Sequence, residues 1–146
     1  MKTINFIFIA LGLLVSIGTS IYAAQPWGDN YAYQDISGYF LLLIWEFWIG
    51  LPFLLLYLFN KKYSNSNTHL KLLLFASLIV SIFGNYIYVE SIVFSSSSTS
   101  ALIFIFLPLY QLIFLAIIGA ICAVISKSLN NRLERDAAKI RRAPHP

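Results

Sequence analysis

"LLLIWEFWIGLP", residues 41–52, is an apolar run carrying one carboxylate, Glu46, between Trp45 and Phe47, with Pro52 following. It is continuously apolar, without the alternation of a half-buried strand. Inside lipid only a helix or a closed barrel satisfies its own backbone, so a run of this kind reads as a helix. It lies within a stretch over residues 39–59, and roughly 20 residues cross a hydrocarbon core of about 30 Å. Three further stretches of spanning length surround it, at about 4–23, 70–89 and 101–126. The fourth is long for one crossing and is expected to tilt, to bend at Pro108, or to extend into the interface.

Composition agrees. Hydrophobic residues make up 59% of the 146 residues, aromatics 16% and charged residues 11%, whereas a soluble domain carries roughly 25% charged residues. A soluble chain of this size has too much surface for its volume to hide so many apolar side chains. Its size suits one domain. The expected fold is all-α: an integral membrane four-helix bundle over residues 1–126, followed by a basic tail over 127–146. The first stretch has a rival reading. Lys2 and "INFIFIALGLLVSIG" (residues 4–18) resemble a signal peptide, with "YAA" (22–24) as its processing site. Ile21 and Tyr22 are poor residues where a small one is required, so a retained helix is favoured.

Charge placement gives the threading. Lysine and arginine occur at Lys2, at Lys61, Lys62 and Lys71, and at Lys127, Arg132, Arg135, Lys139, Arg141 and Arg142. The segments 24–38 and 90–100 contain none and carry Asp29, Asp35 and Glu90. The bias of cationic loops toward the cytoplasm then puts both termini there. The expected location is a cell membrane, crossed several times; in a bacterium this is the inner membrane. Trp27, Tyr31, Tyr33, Tyr39, Trp45, Trp48, Tyr86 and Tyr88 gather toward the outer end, and Tyr57 and Tyr63 toward the inner end, as interfacial anchoring requires.

Lipid gives no hydrophobic drive for helix association, so close contact depends on small residues and interhelical hydrogen bonds. Gly12, Ser16 and Ser20 share one face of the first helix, and Ser77, Ser81 and Asn85 one face of the third. On the fourth helix Ala116 pairs with Ala120, and Gly119 with Ala123. These are the expected contact faces, within one bundle or between copies. Pro52 and Pro108 each remove a backbone donor and are expected to bend their helices.

Glu46 lies about 10 Å inside the boundary marked by Tyr39, at 1.5 Å per residue. Leu42, Leu43, Ile49 and Gly50, its neighbours on the helix, offer no bond. A partner has to come from another helix, water or a bound cation. Asn85 and Tyr86 reach about 5 Å depth, Ser16 about 10 Å, and Tyr110 with Gln111 about 15 Å. Glu46, Asn85, Tyr86, Tyr110 and Gln111 are therefore the candidates for a polar pocket or ion path, because an ionisable group inside a membrane is a functional candidate by default. The same groups also suit a hydrogen-bond cluster that locks the bundle.

The remaining polar features carry little chemistry. Cys122 is the sole cysteine and His69 and His145 the only histidines, so neither a disulfide nor a metal set is expected. Asp29 and Asp35 read as solvated loop carboxylates. The run "SSSSTS" (95–100) reads as a turn in which Ser98, Thr99 or Ser100 caps the fourth helix, without a base or glycine elbow that would make a nucleophile. In "KSLNNRLERDAAKIRRAPHP" (127–146), Leu129, Leu133, Ala137 and Ile140 fall on one helical face among basic residues. That tail either lies on anionic lipid, which attracts each cation by about 1 kcal/mol, or continues the fourth helix toward a partner. Lys127, Arg132, Arg135, Lys139, Arg141 and Arg142 account for the net charge of +4 without nucleic acid.

No enzyme, cofactor or metal is expected. The expected function is recognition within the membrane, as an accessory subunit, a sensor or a toxin-immunity protein. The expected partners are lipids together with a second copy or another membrane protein. The alternative is an oligomeric ion- or proton-linked channel or transporter using Glu46; small multidrug transporters offer a loose analogy in helix number and membrane carboxylate.

Overall fold

The computed structural model describes residues 2–26, 36–63, 66–94 and 100–142, without the side chains of residues 93, 94, 100, 101 and 133–142. Helix α1 spans Lys2–Ala24 and α2 spans Ile36–Tyr63. The third crossing is composite: α3 (Asn67–Leu78), a π-helical turn (Ile79–Phe83), α4 (Gly84–Val89) and a second π-helical turn (Glu90–Phe94). Helix α5 runs unbroken over Ser100–Arg142. No strand occurs among the described residues. Asp29, Asp35, Ser98 and Thr99 lie outside them, while Ser100 is the first residue of α5.

Four helical segments are long and apolar enough to cross a membrane: Lys2–Ala24, Ile36–Tyr63, Asn67–Ile92 and Leu102–Arg132. Each extends past the apolar stretch that marks it, because helical hydrogen bonding continues into the polar flanks. Between 22% and 44% of each spanning window is buried within the bundle, and most of the remaining surface is apolar. Helix α1 stops for a local reason. Gln25 takes a left-handed conformation (φ 44°), its N–H reaches the Ile21 carbonyl at 3.0 Å, and Pro26 follows. The left-handed residue costs about 1 kcal/mol, and the proline cannot continue the ladder.

The chain passes up, down, up and down. Asn5 of α1 meets Asn60 near the end of α2, and Ser16 meets Asn85. Tyr88 stacks on Phe104 near the start of α5. The end of the bundle holding Lys2, Lys61, Lys62, Lys71 and Lys127 is called here the basic end. Helices α2 and the third crossing touch each other, with α1 and α5 on opposite sides of that pair.

The interior stripes follow the helical repeat. On α1 the buried positions are Asn5, Ile9, Gly12, Ser16, Thr19 and Ser20; on α2 they are Gly38, Ile49, Pro52, Phe53 and Leu56. On α5 Phe104, Pro108, Gln111, Leu115, Ile118 and Cys122 are buried. Spacings of three and four keep each set on one face. Two apolar layers result. Ile9, Phe53, Leu56, Ala76, Val80, Leu115, Ile118 and Cys122 fill the half toward the basic end. Ile49, Tyr88 and Phe104, flanked by Trp45, Ile92, Ile103 and Leu107, fill the other.

Small residues hold the helices close. A Cβ on Gly12 would lie 2.5 Å from Ser81 Oγ and 2.6 Å from Phe53 Cε1. A Cβ on Gly119 would lie 2.8 Å from Phe59 Cζ. Gly12, Ser16, Ser20, Ser77 and Ser81 are all buried. Within the single bundle the small residues of α5 divide between two faces. Gly119 seats Phe59, but Ala116, Ala120 and Ala123 are exposed. The inward stripe of α5 is formed by larger side chains, which fill space that α1 closes by approach.

Both prolines are fully buried and inward-facing, and the helix continues through each. Each missing N–H leaves the carbonyl four residues earlier, at Trp48 and Phe104, without its helical donor.

Candidate functional site

Two polar layers lie on the side of the bundle away from the basic end. The first centres on Asn85. Its Oδ1 accepts from Ser16 Oγ at 2.7 Å, and its Nδ2 donates to the Gly12 carbonyl at 3.0 Å and to the Ser81 carbonyl. Gln111 Nε2 donates to the Val80 carbonyl at 3.4 Å, and the Gln111 amide lies against Gly84. Val80 and Ser81 both belong to the first π-helical turn. In that turn the Gly84 N–H reaches back five residues to Ile79, so the ordinary four-residue ladder is displaced. Polar side chains from α4 and α5 supply donors to the carbonyls of the widened turn. Such turns are costly alone and persist where surroundings support them.

The second layer, about one helical turn further on, contains Glu46. Both carboxylate oxygens are buried and carry no well-formed hydrogen bond. The Ser20 hydroxyl faces them from α1, and the Tyr88 phenol lies close enough to feel their charge. Tyr88 is 1% exposed, and its hydroxyl also has no partner. Its ring is held 5.4 Å from Phe104, which in turn lies 6.2 Å from Trp45. Beside this layer is a cavity of about 470 Å³, lined by Ser20, Gly38, Leu41, Leu42, Trp45 and Phe104 among others. Ser20 is shared, because it lines the cavity and faces the carboxylate.

Among known proteins the chain matches no family model, no curated sequence and no solved structure.

The candidates singled out in the sequence thus separate. Asn85 and Gln111 are buried and bonded around the first π-helical turn, and they hold the bundle. Tyr86 and Tyr110 are 63% and 65% exposed and point away from the interior, so neither lines a polar pocket with Glu46. Helical phase explains this: one residue from an inward Asn85 or Gln111 is a rotation of about 100°. Glu46 instead faces the Ser20 hydroxyl of α1, with Tyr88 within electrostatic range. Lys127 and Arg132 are exposed on α5. Arg135, Lys139, Arg141 and Arg142 lie on the same helix, with side chains outside the described set.

Two participants escape a sequence reading. Tyr88 passes for an interfacial anchor beside Tyr86, and only the tertiary fold distinguishes the buried ring from the exposed one. His69 passes for a loop residue beside the polar segment before it. It is buried, with Nε2 3.2 Å from the Cys122 carbonyl and 3.4 Å from Ser126 Oγ. A carbonyl only accepts, so Nε2–H donates there. The ring also lies 5.6 Å from Tyr63. His69 therefore ties α3 to α5 at the basic end, opposite the cavity.

Proposed function

We propose that this is a non-enzymatic membrane protein that works by recognition within the bilayer, through the cavity beside Glu46. In this proposal both termini face the cytoplasm, following the cationic side chains, and the cavity lies in the outer half of the membrane. An accessory subunit, a sensor or an immunity protein against a membrane toxin would each use such a surface. One observation carries the proposal: a cavity of about 470 Å³ is lined by Ser20, the residue whose hydroxyl faces the buried carboxylate of Glu46. That volume is in the range of small-molecule sites, roughly 300–1,000 Å³. Buried polar groups without partners inside the bundle cost stability, and a partner from outside relieves that cost.

The test is photo-crosslinking in native membranes, with a photoreactive amino acid replacing Leu41 at the cavity mouth. Adducts to a ligand or a second protein, lost when the probe is moved to exposed Leu129, support recognition. Adducts only to other copies of this chain refute it.

The unpartnered Glu46 also favours an alternative, an oligomeric ion- or proton-linked channel or transporter. A path through one bundle would have to pass Ile49, Phe53, Val80 and Leu115, all essentially inaccessible. A conducting route therefore belongs between bundles. Ion flux into liposomes that is unchanged by Glu46→Gln eliminates it.

A further inference from the structure

We propose that a groove between α1 and α2 holds one acyl chain of an anionic phospholipid, with the lipid's phosphate between Lys2 and Lys61. The groove lies toward the basic end and is separate from the cavity lined by Ser20.

The groove has a volume of about 340 Å³. Phe6, Ile9, Ala10 and Leu13 line it from α1. Phe47, Gly50, Leu54 and Tyr57 are among those that line it from α2. Spacings of three and four put each set on one helical face. Phe6, Phe47, Leu54 and Tyr57 are also exposed on the outside of the bundle, so the groove opens sideways to hydrocarbon.

Its dimensions select a single chain. Phe47 and Tyr57 stand ten residues apart, about 15 Å along the helix. That is the depth of one leaflet in a hydrocarbon core of about 30 Å. Spread over about 15 Å of helix, the volume of about 340 Å³ has a mean cross-section of about 23 Å². Such a slot admits one polymethylene chain. A helix with its side chains is about 10–12 Å across, so a helix of a second copy does not enter it.

The same two stripes end in cations. Lys2 precedes Phe6 by four residues, and Lys61 follows Tyr57 by four. Each therefore continues its stripe by about 6 Å toward the basic end. The contact of Asn5 with Asn60, at 3.5 Å, brings these two helix ends to one level. Lys2 then stands about 4.5 Å beyond that level and Lys61 about 1.5 Å beyond it, within one headgroup layer. Both are exposed. No Asp or Glu occurs in residues 1–28 or 47–89, so neither stripe carries a carboxylate of its own. Lys62 is turned elsewhere, with its ammonium 5.2 Å from the centroid of the Tyr63 ring. Tyr57 ends the groove just short of the lysines, where amphipathic rings favour the headgroup level. A zwitterionic lipid would bring a second positive charge to this pair of ammonium groups, whereas an anionic lipid brings none.

The test reconstitutes the whole protein in phosphatidylcholine bilayers. A trace of phosphatidylglycerol with a diazirine on its acyl chain is the probe, and photo-adducts are mapped by peptide mass spectrometry. Phosphatidylcholine with the same chain is the neutral comparison. The anionic probe is expected to label residues 6–13 and 47–57 at least tenfold more than the neutral one, since each surface cation strengthens contact with anionic lipid about fivefold. Lys2→Gln combined with Lys61→Gln is expected to bring the two probes to parity. Lys127→Gln, which removes a cation at the same end from α5, is expected to leave the preference unchanged. Ala10→Phe fills the groove without altering charge and is expected to lower labelling there by both probes. Equal labelling by the two probes in the wild-type protein overturns the proposal. Adducts spread along every exposed apolar face, without enrichment at the groove, overturn it as well. A photoreactive amino acid at Leu54 that captures another copy instead of lipid puts a protein there and also overturns it. The lysine variants change only exposed side chains, so the decision stands even where Ala10→Phe does not fold. None of these outcomes bears on the cavity lined by Ser20, whose own cross-linking from Leu41 tests it separately.

Discussion

Replacing Gly12 with alanine is the sharpest probe of how the bundle holds together. The added Cβ would sit 2.5 Å from Ser81 Oγ and 2.6 Å from both Ser81 Cβ and Phe53 Cε1. Ordinary carbon contacts lie at about 3.5–4.0 Å, so α1 must retreat by roughly 1 Å. Overpacking of this kind costs about 1–3 kcal/mol. The retreat also stretches the 3.0 Å bond from Asn85 Nδ2 to the Gly12 carbonyl and the 2.7 Å bond from Ser16 to Asn85. Interhelical hydrogen bonds in membranes contribute about 0.6 kcal/mol each. The expected loss is about 2–4 kcal/mol in unfolding free energy, measured by steric trapping in bicelles. Gly18 on the same helix has nothing within 4 Å of a built Cβ. Gly18→Ala should therefore be neutral, or stabilising by up to about 1 kcal/mol through helix propensity. A Gly12→Ala protein within about 0.5 kcal/mol of wild type would refute the close approach of α1 to Ser81 and Phe53.

The pair Ser16→Ala and Asn85→Ala should show a coupling of about 0.6 kcal/mol in a double-mutant cycle, and additivity would mean that their bond is not formed. Gly119→Ala should destabilise by about 1–3 kcal/mol against Phe59 and be relieved by Phe59→Leu, whereas Ala123→Leu should be tolerated on the exposed face; the reverse order in unfolding assays would restore Ala123 to the interior. His69→Phe should cost about 1 kcal/mol by removing the donor to the Cys122 carbonyl, and an unchanged unfolding free energy would dismiss His69 as a tie between α3 and α5. In a Cys122→Ala background, a membrane-impermeant maleimide added to intact cells should label Gln25→Cys and spare Ser128→Cys; the opposite pattern would invert the proposed threading.

Much of the fold is legible because lipid imposes simple demands. Spans near residues 39–59 and 70–89 stand out by length and apolarity alone. The stripes Gly12–Ser16–Ser20 and Ser77–Ser81–Asn85 stand out because small side chains at four-residue spacing let helices approach. The same rule does not tell Gly119 from Ala123, which lies on the exposed face of α5, since alanine is equally at home against lipid and α5 meets its neighbours through Leu115, Ile118 and Cys122. The site is only half legible. Glu46 announces itself by its charge, but its companions do not. Ser20 looks like one more small packing residue, and Tyr88 differs from Tyr86 only in which way it faces. The π-helical turn leaves no local trace, because it depends on Gln111 from a distant part of the chain.

That turn governs where the far half of the third crossing points. From Leu73 to Tyr88 an uninterrupted α-helix would advance fifteen steps of about 100°, leaving the two side chains roughly 60° apart in one sense. Absorbing one surplus residue makes it fourteen steps, roughly 40° apart in the other sense, and both stay inward. Excision of the exposed Ile82 from the widened segment should therefore restore an ordinary helix and leave Asn85 and Tyr88 indexed to the interior. Excision of the equally exposed Phe75, a turn earlier in regular helix, has no slack to draw on. It should swing everything beyond it by about 100° and carry the phenol away from Glu46.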